Sequence, residues 1–181
     1  MLKGMSKHDK ALLLAMLEEK ARRKEVYRFK DMFTGLYGWQ QEFIKHTAEF
    51  SAVCLCAANR IGKTYTGTYI DAAHLMGDYP EGWQGHKFNH GILSWLLGYS
   101  GEKTRDLLQQ ELFGRFQQGK LTGGLIPAEL IVDYKSMAGT SGALREVRVK
   151  HSSGEISTCQ FWSYNQGQHA LMGDSVDWYH V

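Results

Sequence analysis

One segment constrains this chain more than any other. The short apolar run Ala52-Val-Cys-Leu-Cys-Ala57 leads into Ala58-Asn-Arg-Ile-Gly-Lys-Thr64, and a helical pattern follows from about residue 62 to residue 76. The order is strand, tight loop, helix, closed by Gly62-Lys63-Thr64, as in a phosphate-binding loop. The chemistry needs each residue type. Gly62 lets the backbone approach an anion with no Cβ in the way. Free N–H groups at the start of the helix point at phosphate. Lys63 adds a point charge, and Thr64 offers a hydroxyl to Mg²⁺. The tripeptide alone is weak, since chance supplies about 0.16 copies in a chain of this composition. The flanking strand and helix carry the reading. Ala57 stands where the usual pattern has its first Gly.

The remaining pattern alternates strands with helices, which argues for an α/β sheet with parallel members. Ser6 caps an expected helix running to about Phe29, with Leu13, Met16, Leu17 and Ala21 as its apolar stripe. A short helix is expected over about 39–49, with Phe43 and Ile44 inward. Residues 92–99 read as a second buried strand, and 102–116 as a helix with Leu108, Leu112, Phe113 and Phe116 on one side. Residues 117–142 are Gly-rich and weakly patterned. Arg145 to Lys150 alternates polar and apolar, turns at 151–155, and returns as a strand to Trp162. Residues 163–172 read as loop or short helix, and 176–181 as a strand. Cys54 and Cys56 sit on the expected first strand and read as small core residues, not a disulfide.

Charge is uneven along the chain. Residues 1–30 hold nine basic and four acidic side chains, while residues 51–181 hold eleven and twelve. The formal charge of +2 excludes a histone-like polycation, and 43% hydrophobic residues exclude a disordered chain. The basic arm, residues 1–35, reads as a solvated helix face, or as a nucleic-acid or partner contact. No apolar run approaches the roughly 18 residues of a membrane span, and the start shows no signal-peptide pattern. His86 and His90 lie four apart in a Gly-rich loop with no third ligand in view. Asp71 is expected to be an exposed carboxylate on its helix. Asp174 and Asp177 precede the terminal apolar run and read as loop residues.

These residues resemble the N-terminal ATPase part of phage terminase large subunits. Tyr37-Gly-Trp-Gln-Gln-Glu-Phe43 looks like the family's adenine-binding Gln motif, and Ala57 to Thr64 its deviant Walker A. Trp162-Ser-Tyr-Asn-Gln-Gly167 with Gly173 to Val181 looks like the run into its Walker B strand. The resemblance implies a RecA/ASCE-like P-loop NTPase fold over 36–181, with a mostly parallel sheet flanked by helices and incomplete at its C-terminus. It implies ATP and Mg²⁺ as cofactors. The nucleotide would be held by Gln40, Ala58, Asn59, Arg60, Ile61, Gly62, Lys63, Thr64 and Tyr65, with Thr64 on the metal. Lys63 and Arg60 would carry the catalytic charge, although Arg60 lies three residues before Lys63 where many relatives have four. Trp39 reads as core. The family's partners would be double-stranded phage DNA, a portal protein, a small terminase subunit and further copies in a ring, in the cytoplasm of a bacterial host, with no membrane. Relatives continue into Asp-Glu where this chain reaches Val181, so it is expected to be close to inert as an ATPase. Two other readings stand beside this one: a helicase- or recombinase-like P-loop ATPase, and a non-catalytic assembly module using the basic helix.

Overall fold

The computed structural model describes residues 6–117, 119–164 and 175–181, without the side chains of residues 7, 22–28, 30 and 31. Contacts divide the chain into two units, 1–35 and 36–181.

The first unit is one helix, α1 (Lys7–Thr34). Ser6 caps it as expected. Its Oγ accepts from the Asp9 amide at 3.1 Å, and Asp9 reaches back to the Ser6 amide at 3.3 Å. The expected apolar stripe is not buried: Met16 and Leu17 are 63% and 54% exposed. A lone helix has no second layer within its own unit to cover a stripe.

The second unit is α/β. Helices α2 (Gly38–Glu49) and α3 (Lys63–Met76) precede strand β1 (Leu93–Gly98). A helical stretch follows as α4 (Gly101–Thr104), a π turn (Arg105–Gln109) and α5 (Gln110–Phe113). Two short strands, β2 (Phe116–Gln117) and β3 (Lys120–Leu121), form a separate ladder. Then come β4 (Ile131–Ser136), β5 (Leu144–Lys150), β6 (Ile156–Ser163) and β7 (Trp178–His180). The main sheet has the order β4-β5-β6-β1-β7. It is mixed: β1 runs parallel to β6 and β7, while β5 is antiparallel to β4 and β6.

Alternation along β1 builds a core on each face of the sheet. Trp95 and Leu97 pack with Trp162 on one side, joined by Leu93 and Val176. Leu96 points the other way and is fully buried. The Arg145 guanidinium lies 3.5 Å over the Trp162 ring. Helix α3 is buried along most of its length, from Thr68 through Met76.

Three sequence expectations fail here. Residues 52–57 form no strand, and Cys54 and Cys56 are exposed free thiols with their Sγ atoms 3.6 Å apart. A strand exists only where a neighbour accepts its ladder, and the described sheet pairs with no part of this segment. Conversely, the weakly patterned 117–142 contains β4, whose residues are half-buried or exposed, so hydrophobic alternation is too faint to mark it. Phe116 leaves the helical face of Leu108, Leu112 and Phe113 and is 41% exposed on β2. Residues 165–174, including Asp174, lie outside the described residues.

The long loop 77–91 packs aromatic rings around His74 of α3. Phe88 lies 5.0 Å and Trp178 4.5 Å from its ring, both edge-on. Tyr79 Oη accepts from the Phe88 amide at 2.8 Å and lies 3.1 Å from His74 Nδ1. Burial, with a smaller push from His86, lowers the His74 pKa from 6.5 to about 3. The imidazole is therefore neutral when folded, and the unfolded chain takes up its proton first as pH falls. Its contribution is complete above pH 6.5 and is lost on acidification toward pH 3, at up to about 1.4 kcal/mol per pH unit. Urea unfolding at a series of pH values should show this loss, and His74→Phe should flatten it; an unchanged slope in the variant would contradict the assignment.

Candidate phosphate-loop site

The loop before α3 is turned by two left-handed residues. Arg60 has φ 65°, unique among the described non-Gly residues, and Gly62, which caps α3, has φ 96°. Such turns gather backbone amides into concavities that bind anions. Lys63 curls over this loop. Its Nζ donates to the carbonyls of Ala57 at 2.6 Å and Ala58 at 2.7 Å. Both acceptors are neutral, and among the described residues Lys63 has no ion pair, so its charge is not already neutralised. Asn59 and Arg60 are exposed, Ile61 and Tyr65 half-buried, and Thr64 exposed at the first turn of α3.

Thr64 opens into a cavity of about 380 Å³. Its other walls are the ends of β1 and β7 (Leu97, Gly98, Tyr99, His180 and Val181) and the helical stretch after β1 (Lys103, Thr104, Leu107 and Leu108). It lies at the carboxyl ends of parallel strands, the usual ligand position in open α/β sheets. Asp177 sits at the opposite end of β7, where its carboxylate accepts from the Leu93 amide at 2.8 Å. It stays a strand-entry residue, away from Thr64, as its position before the apolar run implies.

Gln40, expected at a base, is buried in the structure at 3% exposure. Its Oε1 accepts from the Tyr37 amide at 2.8 Å, and its Nε2 donates to Thr66 Oγ1 at 2.7 Å. The side chain thus joins the start of α2 to the start of α3. Trp39 is half-buried.

Asp71 corrects the expectation of an exposed carboxylate: it is fully buried. Oδ1 accepts from Trp178 Nε1 at 2.8 Å, and Oδ2 lies 2.5 Å from His180 Nδ1. A buried charge persists only when so paired. Burial alone would lower the His180 pKa; the Asp71 charge and hydrogen bond outweigh it and raise the pKa above 6.5. The pair therefore contributes most below pH 6.5 and weakens as pH rises through that raised value, opposite in sign to His74. Sequence reasoning missed this cluster. Its faint signals are a carboxylate inside the run Ile70 to Met76 and a polar ring at i+2 from Trp178, which puts both rings on one face of β7.

Gly67, one helical turn before Asp71, makes this docking possible. A Cβ there would lie 2.5 Å from His180 Cε1 and 2.6 Å from Nε2.

The fold is α/β, with a loop turned by two left-handed residues at the start of its central helix. The chain is 28% identical, over 193 aligned residues and 97% of its length, to "Terminase, large subunit" of Salmonella phage P22. It spans 38% of the length of that relative. The likeness supports a terminase-like chain. No protein-family model matches the sequence, and no solved structure matches it significantly.

Helical Gly→Ala changes ordinarily stabilise by up to about 1 kcal/mol. Here Gly67→Ala should instead destabilise, by about 1–3 kcal/mol, because the His180 ring is overpacked. In a His180→Ala background the same change should become favourable. Urea denaturation of the four proteins checks the sign reversal.

Proposed function

We propose that this chain binds Mg-ATP through its phosphate loop and forms the nucleotide-binding part of a terminase-type DNA-packaging motor. The observation that carries the reading is the loop itself: Gly62 left-handed at the cap of α3, Lys63 folded over the loop with an uncompensated charge, and Thr64 facing the cavity.

The residues present fit the ligand. A polyphosphate is a better partner for the Lys63 ammonium than two neutral carbonyls, since bonds between ionised groups are about twice as strong. Gly62 supplies the left-handed turn that side chains rarely adopt, with φ 96°. Among the described residues no cluster of three or more His, Cys, Asp or Glu forms a metal cage. Mg²⁺ needs none: it keeps several waters and binds through one or two protein oxygens plus substrate phosphates. Thr64 would supply such an oxygen. When bound, Mg-ATP supplies the phosphoanhydride bond whose hydrolysis a motor uses. Lys63 holds the phosphates in place, and Arg60, exposed on the same loop, adds positive charge beside them.

The similarity to a terminase large subunit supports the wider role. In that reading the partners are duplex phage DNA, a portal, a small terminase subunit and further copies of the motor chain. Among the described residues no helix is long and apolar enough to cross a membrane.

Titration calorimetry with Mg-ATP tests the proposal. Lys63→Ala should weaken binding about ten- to hundredfold, the range expected for one charge-assisted phosphate contact. Identical isotherms for the two folded proteins would refute it.

A further inference from the structure

We infer that Gln40 is a positioning residue of the phosphate loop, fixing the cap of α3 through Thr66, and is not the reader of the base. The inference rests on the nucleotide-binding reading above.

The hydrogen-bond directions leave one arrangement. Tyr37 N is a donor, so the atom of Gln40 facing it must be the oxygen, and the amide nitrogen must face Thr66. Thr66 has one hydroxyl proton and gives it to the Gly62 carbonyl at 2.9 Å. Its lone pair then accepts from Gln40 Nε2. The result is a directed chain, Gln40 to Thr66 to Gly62, in which each bond polarises the next. The Gly62 carbonyl also accepts the Thr66 amide, the first helical bond of α3. The chain therefore ends on the residue whose left-handed turn delivers Lys63 and Thr64.

Burial raises the cost of breaking it. Thr66 is fully buried and Gln40 nearly so. Removing the amide leaves a buried hydroxyl acceptor unmet. It also uncovers one side of Gly62, since a Cβ there would lie 3.4 Å from Gln40 Nε2. A base reader needs an amide edge open to its ligand. This amide instead spends one donor and one acceptor inside the protein and is 3% exposed.

Base reading and loop positioning differ in what a substitution does to ligands with different bases or none. The experiment measures dissociation constants for Mg-ATP, Mg-GTP and Mg-tripolyphosphate on the full chain. The variants are Gln40→Met, which keeps side-chain volume without the amide, Thr66→Val, Thr66→Ser and the double variant Gln40→Met/Thr66→Val. Gln40→Met should weaken all three ligands by the same factor, about three- to tenfold. Thr66→Val should reproduce that loss, Thr66→Ser should restore binding, and the double variant should be no worse than either single one. Loss confined to ATP in Gln40→Met, or wild-type affinities in folded Thr66→Val, would overturn the inference while leaving nucleotide binding intact. Wild-type protein that binds none of the three ligands, or binds them equally well as Lys63→Ala, would overturn the nucleotide reading and the inference with it. Thermal unfolding of each variant establishes that it is folded. Should Gln40→Met fail to fold, the Thr66→Val and Thr66→Ser comparison decides alone.

Discussion

A single carboxylate organises the working half of this molecule. Asp71 is wholly removed from water on the central helix, and an ion in that position costs several kcal/mol unless its oxygens are met. Trp178 and His180, two residues apart on β7, meet one oxygen each. This seats β7 on α3, and with it the wall of the cavity that faces Thr64. The close approach requires a glycine at position 67, so an apparently idle residue on the helix is part of the same constraint.

The other end of α3 is held by a second set of polar contacts. Gln40 and Thr66 tie the first turn of α2 to the first turn of α3. The loop is thus supported from the α2 side and the cavity wall from the β7 side. Between them lies Lys63, whose only described acceptors are carbonyls of its own loop. In the proposed site, buried polar contacts would lie below the loop and the Lys63 cation above it.

The apolar segment 52–57 runs against this economy. It carries small apolar side chains with the composition of a core strand, and yet Cys54 and Cys56 lie at the surface. The helix after it is buried on nearly every side, because the sheet and the loop 77–91 enclose it. The segment before it gains no such cover. Burial here follows from available ladder partners and not from residue hydrophobicity.

Much of the local structure was legible in the residues. The Ser6 cap, the boundaries of α2 and α3, β1, the β5–β6 hairpin and the strand at Trp178 to His180 follow from capping chemistry and periodicity, which act over a few neighbours. The loop Ala58 to Thr64 could be picked out because its chemistry lies within seven consecutive residues. What depends on distant partners could not be read so. Asp71 looked like a solvated helix charge because its partners stand more than 100 positions away. Gln40 could be singled out, but its hydrogen bond to Thr66, 26 positions away, became visible only when α2 was laid against α3. The sequence by itself determined most of the elements and marked out the candidate loop before α3, since short-range sterics and hydrogen bonding suffice for those. The tertiary structure alone decided which polar groups are buried, which of them meet, and that residues 52–57 stay unpaired, because desolvation and strand pairing are properties of neighbours in space.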